Sequence, residues 1–267
     1  TIGKITLPEL KKRGYPEAIT VGTLAGAGTL GLLIPPSIIM IVYGVAADVS
    51  ISQLFIAGVI PGILLAAIFS AWIALWALTH PGQIPPADAR LSFGQKLRES
   101  RHLIPVVLLI AAVLGSIYGG IATATEAAAL GVVGSLMLSA AQGSMSWATF
   151  RDSLLGGTRL YCMIALILAG AAFLTLSMGY IGLPRHLAEW IGSLGLTKWQ
   201  LILALTVFYV VLGCFLDGIS MVVLTMGVIM PTIQKAGIDP LWFGIFIVIV
   251  VEMAQITPPV GFNLFVL

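Results

Sequence analysis

Apolar residues run along this chain in blocks too long for a soluble fold, and charged residues fall between the blocks. No Asp, Glu, Lys or Arg occurs from Ala18 to Ala47, Val49 to Ala87, His102 to Thr125, Ala127 to Phe150 or Leu160 to Pro184. Each of these runs exceeds the ~20 residues that an α-helix needs to cross a bilayer core. The pattern predicts spans at 18–47 (interrupted), 52–78, 103–118, 123–141, 160–180, 199–216, 219–233 and 241–267 (interrupted). Ser92 to His102, Ser144 to Gly157 and Pro184 to Gly195 mix polar with apolar residues at helical spacing, which predicts helices lying in the interface plane. Composition agrees: of 267 residues, 59% are hydrophobic and 9% charged, against about 25% charged in soluble domains. The fold class expected is an all-α polytopic membrane protein without a cleavable signal peptide. Cys162 and Cys214 sit in apolar runs and are expected to be buried small hydrophobes. Residue 1 is Thr and the last residues stop inside an apolar segment, so a piece of a longer protein is expected.

Charge placement sets an orientation. Alternating the connections puts ten of the thirteen Lys and Arg in 1–17, 79–102 and 143–159, and this side is expected to be cytoplasmic. Span 18–47 then runs outward and 241–267 inward. The net charge of +2 singles out no acidic partner, and no nucleic-acid partner is expected.

The two interrupted spans are similar at a fixed offset. Pro8, Leu10, Lys12, Gly14, Pro35 and Pro36 match Pro231, Ile233, Lys235, Gly237, Pro258 and Pro259, each 223 residues later. Each copy reads as a proline ending a short helix, a Lys-x-Gly turn, an apolar run and Pro-Pro, and the opposed directions make the repeat an inverted one. Ile34-Pro35-Pro36 and Thr257-Pro258-Pro259 must break their helices, because proline lacks an N–H and clashes with the preceding turn. Carbonyls freed at membrane depth must be buried in protein or line a polar cavity. Paired broken helices in inverted halves point to the substrate and ion sites of a secondary transporter.

Gly213 to Ser220 separates two apolar runs of 18 and 15 residues, the second spanning about 22 Å. This predicts a re-entrant hairpin with Asp217 at its tip, where a carboxylate marks an ion pathway; two full spans with an interfacial Asp217 is the alternative. Thr123 and Glu126 have capping-box spacing. Glu252 either faces the transport cavity or balances a polar partner. Gly26 to Gly31 fits GxGxxG literally, but no βαβ unit surrounds it, and no Walker motif occurs. His80, His102 and His186 have no ligand spacing and are expected to be interfacial.

The runs Gly28 to Gly44, Gly120 to Ala129, Gly213 to Gly218 and Gln255 to Phe265, in that order, resemble the large membrane subunit of tripartite ATP-independent periplasmic (TRAP) transporters. The resemblance implies an elevator mechanism. A transport domain here would comprise 1–47, with the end of a first hairpin and the first broken helix, and 199–267, with the second hairpin and broken helix. Residues 48–198 would supply scaffold-type spans and interfacial helices, with some transport-domain spans. It implies a bacterial inner-membrane location, a small membrane subunit and a periplasmic binding protein as partners, and organic acids of the C4-dicarboxylate or sialic acid type as substrates. Na+ would be the coupling ion, with no other cofactor. Gly28, Thr29, Gly31, Leu32, Gly213, Asp217, Gly218, Gln255 and Thr257 would form Na+ sites, and Pro36, Ser37, Pro259, Gly261 and Asn263 would face substrate. The alternatives are an ion transporter working without a binding protein, a membrane-embedded hydrolase using Asp217, and a purely structural subunit.

Overall fold

Caps and glycine turns set the helix ends in this chain more than its prolines do. The structure, a computed structural model, describes residues 2–85, 92, 94, 95, 100 and 103–257. Helix α1 (Ile2–Lys12) contains Pro8, and α10 (Gly218–Lys235) contains Pro231, so neither proline ends its helix as expected. An internal proline removes one hydrogen bond and is survivable. The chain turns instead at Gly14 (φ 86°) and Gly237 (φ 65°), a left-handed conformation that glycine adopts without a Cβ penalty.

Helices α2 (Glu17–Leu33) and α3 (Ile38–Ala47) are the two halves of the first interrupted span, bent by 42° at the Pro-Pro break. Helix α4 (Ile51–Thr79) is capped by Ser50, whose hydroxyl accepts from Gln53 N. Next come α5 (Ile104–Tyr118), α6 (Ala124–Ala141) and α7 (Trp147–Ile181). The interfacial helix expected at Ser144 to Gly157 is not a separate element: it continues into the following apolar run as α7. Gly156 and Gly157 weaken a helix but block no hydrogen bond. The amphipathic α8 (Leu183–Ser193) is the short helix expected after it, with an exposed Arg185 to Glu189 pair at 2.9 Å. That guanidinium holds the Glu189 carboxyl below the usual carboxylate range. Helices α9 (Lys198–Gly213), α10 and α11 (Pro240–Ile256) complete the described chain. Most of Ser92 to His102 lies outside the described residues.

The 223-residue self-similarity is carried by the backbone. Gly14 N donates to Lys11 O and Tyr15 N to Leu10 O; 223 residues later Gly237 N donates to Gln234 O and Ile238 N to Ile233 O. Helices α2 and α11 each contain 17 residues, and their ends are offset by the same interval. Both run into an extended residue, Ile34 (φ −80°, ψ 121°) and Thr257 (φ −84°, ψ 133°).

The chain forms two compact units. One comprises Pro86–Ala165, in which α5 packs on α6 through Gly131, whose missing side chain would lie 3.3 Å from Val113. Thr123 and Glu126 form the expected capping box at the start of α6: Glu126 Oε2 accepts from Thr123 N at 2.8 Å, and Thr123 Oγ1 from Glu126 N at 3.3 Å. The other unit comprises Thr1–Pro85 and Leu166–Leu267, and α11 is its core. Ten residues of α11 are buried, against α2, α3, α4, α9 and α10. Lining it are the fully buried Tyr43, Tyr209 and Phe243.

Two tyrosine hydroxyls tie this core together. Tyr209 donates to Thr225 Oγ1 at 2.7 Å, joining α9 to α10, while Thr225 donates onward to Met221 O. Tyr43 on α3 donates to Pro240 O at 2.6 Å, at the start of α11. Removing one partner of a buried hydrogen bond costs ~1–3 kcal/mol. Tyr43→Phe is therefore expected to lower the thermal unfolding midpoint of the purified protein, and an unchanged midpoint would show that the tie contributes nothing.

Elsewhere the helices turn apolar side chains outward: Ile60, Leu78 and Leu166 are at least 75% exposed. Four helices among the described residues are long and apolar enough to cross a membrane, five with the bent pair α2–α3. Cys214 is buried as expected, but Cys162 is exposed, as is every residue of α7 from Arg151 to Met163.

Candidate functional site

The tip between α9 and α10 is built to sit close against its neighbours. Asp217 caps α10 and is half-buried; its Oδ2 accepts from Ile219 N at 3.1 Å and Ser220 N at 3.2 Å. This satisfies two of the N–H groups that a helix start leaves unpaired. Glycines flank the tip for a steric reason. A Cβ on Gly213 would overlap Ala254 and lie 3.0 Å from Met221. A Cβ on Gly218 would overlap the Gln255 amide and lie 2.8 Å from both Ile39 and Val251. The tip therefore rests on the last turns of α11, near its end at Ile256, and on the first turn of α3, just past the Pro35–Pro36 break.

The first break is held by a serine. Ser37 is fully buried; its hydroxyl donates to Leu32 O, on the far side of Pro35 and Pro36, and accepts from Met40 N at 3.3 Å. Between them the Pro35–Pro36 peptide is cis, with Pro35 buried and Pro36 exposed. Thr29 is buried, and its hydroxyl donates to Gly26 O at 2.8 Å. Gly28 and Gly31 lie on the opposite, exposed side of α2, where an added Cβ would meet nothing. The literal GxGxxG is thus part of an unbroken helix. Thr257, just past α11, donates its hydroxyl to Met253 O at 2.6 Å.

Of the residues singled out in the sequence, Gly213, Asp217, Gly218 and Gln255 are brought together around the tip, with Thr257 two residues beyond Gln255. Gly28, Thr29, Gly31, Leu32, Pro36 and Ser37 lie along α2 and its break; α2 packs on α11, α4, α1 and α3. Pro259, Gly261 and Asn263 fall outside the described residues. The tip carries the Asp217 carboxylate, and the Gln255 amide lies against it at Gly218, with the Ser220 and Thr257 hydroxyls on the adjoining turns. That donor set suits a hard cation. It does not suit an aspartyl hydrolase: neither carboxyl oxygen of Glu252 has a hydrogen-bond partner, so Asp217 and Glu252 form no proton-sharing pair.

The described residues are helical without strands, their apolar surface faces outward, one helix is broken at Pro35–Pro36 and another ends at the matching position, as in a polytopic membrane protein. Comparison with known proteins makes this specific. The whole chain, residues 1–267, matches the family model of the tripartite ATP-independent periplasmic transporter, DctM component, and the chain belongs to that family. It is 35% identical over 266 residues to the C4-dicarboxylate TRAP transporter large permease protein DctM of Pseudomonas aeruginosa, covering 99% of this chain and 62% of that protein. It is 33% identical to the ectoine/5-hydroxyectoine TRAP transporter large permease protein UehC of Ruegeria pomeroyi, over 99% of this chain and 61% of that one. It is also 32% identical to the isethionate TRAP transporter permease protein DctMQ of Oleidesulfovibrio alaskensis, over 99% and 42% respectively. The chain thus spans about three fifths of the length of most of these relatives. The family is one of transporter components rather than enzymes, and its membership and apolar helices make this a multi-pass protein of the bacterial inner membrane.

Proposed function

We propose that the full-length protein is the large permease subunit of a transporter that uses a Na+ gradient to import an organic anion. The anion is handed over by a periplasmic binding protein, and a small membrane subunit supports the permease. The observation that carries this reading is the seating of the Asp217 tip against Gln255, at the end of α11, and Ile39, just past the Pro35–Pro36 break. Na+ would be held by the Asp217 carboxylate, the Gln255 amide and backbone oxygens around Gly213, Gly218 and Thr257. A second set would use Gly28, Thr29, Gly31 and Leu32, completed by the hairpin that the repeat predicts ahead of α1. The anion would meet the start of α3 after Pro36 and Ser37, where helix N–H groups favour negative charge, and the matching Pro259, Gly261 and Asn263. The repeat would be inverted and the unit that contains α2, α3 and α9–α11 would move as an elevator.

Relatives are named for C4-dicarboxylates, isethionate and ectoine. The first two are anions and the third carries a carboxylate, so a small acid is the substrate class. The test is uptake of a labelled C4-dicarboxylate into proteoliposomes holding the full-length permease and its small subunit, with the binding protein outside. Uptake is expected only with an inward Na+ gradient and the binding protein. Uptake without the binding protein would favour a free-standing ion transporter, and uptake indifferent to Na+ would overturn the coupling.

A further inference from the structure

Glu252, near the end of α11, stands apart from every other described acid. It is 3% exposed, and neither carboxyl oxygen has a hydrogen-bond partner. Glu9, Glu17, Asp48, Glu126, Asp152, Glu189 and Asp239 are exposed, and Asp217 spends its carboxylate on the cap of α10.

No cation faces Glu252 from the helices packed on α11. Helix α2 carries Glu17 in its first turn and no other charge; α3 carries Tyr43, whose hydroxyl is given to Pro240 O; α4 has no charged residue, with His80 just past its end. On α9, Lys198 is at the first position with its Nζ on Gly237 O at 3.0 Å, and Tyr209 is bonded to Thr225. Helix α10 has Asp217 at its start and Lys235 at its end, and Asp239 caps α11 itself. An ionised carboxylate enclosed without a donor or a counter-charge is among the costliest groups a protein interior can hold; the neutral acid avoids that cost and gains a donor. A hard cation would need several oxygens around it. One helical turn from Glu252 on α11 stand Val248, Ile249, Gln255 and Ile256, of which only Gln255 is polar. A proton needs a single oxygen. The repeat points the same way, since the position of α2 that matches Glu252 is Thr29, a buried neutral hydroxyl.

We propose that Glu252 is a proton-binding site, occupied while α11 is enclosed by its five neighbouring helices and emptied at neutral pH only when that enclosure opens to water. The enclosed arrangement then binds one proton more than an opened or unfolded one. Acid favours it, and it loses ground as pH rises. This goes beyond Na+-coupled import and does not depend on it.

The test uses the purified full-length permease and its E252Q and E252D variants, and it reads protonation without requiring transport. Infrared spectra at neutral pH are expected to contain a protonated-carboxyl C=O band that shifts in D2O, is lost in E252Q and is displaced in E252D. Thermal unfolding of the wild type is expected to become less favourable relative to E252Q as pH falls, so that its midpoint declines relative to E252Q as pH rises. Loss of a carboxylate band in E252Q, a Glu252 band that responds to Na+, or superimposable pH dependences of the two midpoints would each overturn the assignment. If E252Q does not fold, displacement of the acid band in E252D decides the matter alone.

Discussion

Asp217→Asn in the full-length permease is expected to abolish Na+-driven uptake and to leave the folded protein unchanged. The substitution separates the cap that the Asp217 carboxylate forms from the ion site proposed for it. As a cap it accepts from Ile219 N and Ser220 N, and asparagine caps a helix about as well as aspartate. As the proposed ion ligand it would supply a formal negative charge, and asparagine supplies none. Asp217→Ala removes both, adding a capping loss of ~1 kcal/mol visible as a lower unfolding midpoint. The pair of variants thus divides the effect: uptake lost in both, stability lowered in one. Uptake by Asp217→Asn at the wild-type rate, with wild-type Na+ dependence, would reduce Asp217 to a helix cap and sink the ion-site reading.

The second large effect is steric. Gly218→Val would force side-chain atoms into Ile39, Val251 and the Gln255 amide, where even a Cβ has less room than any real contact allows. Overpacking of this kind costs ~1–3 kcal/mol, and here it would act by lifting the tip from the end of α11 and the start of α3. Uptake and unfolding midpoint should fall together. Gly22→Ala is the matched control: it lies in the interior of α2 with nothing within 4 Å of an added Cβ, and replacing an interior helix glycine by alanine gains up to ~1 kcal/mol. A Gly218→Val protein as stable and active as Gly22→Ala would show that the tip is not seated where its neighbours place it.

Much of this architecture was legible along the chain. The break at Pro35–Pro36, the Gly14 and Gly237 turns and the cap at Thr123 follow from local rules that act over a few residues: a missing N–H, a positive φ, a hydroxyl within reach of a bare N–H. The same rules read too strongly at Pro8 and Pro231, where each helix absorbs the loss of one bond and runs on. At Gly156–Gly157 an expected boundary is absent because two glycines lower helix propensity without blocking it. Cys162 was misplaced for a different reason. Hydropathy says that a residue leaves water, but lipid and protein interior are equally apolar, and hydropathy does not say which of them receives it.

By itself the sequence determined that this is a helical membrane protein with a helix broken at Pro35–Pro36, because bilayer thickness and backbone hydrogen bonding are constraints that each segment must meet on its own. Tertiary structure alone decided which residues meet. It set the Asp217 tip on Gln255 and Ile39, tied Tyr43 to Pro240, and left the Glu252 carboxyl enclosed without a partner. These arrangements join segments up to nearly two hundred residues apart, and no periodicity within a segment encodes what will lie against it.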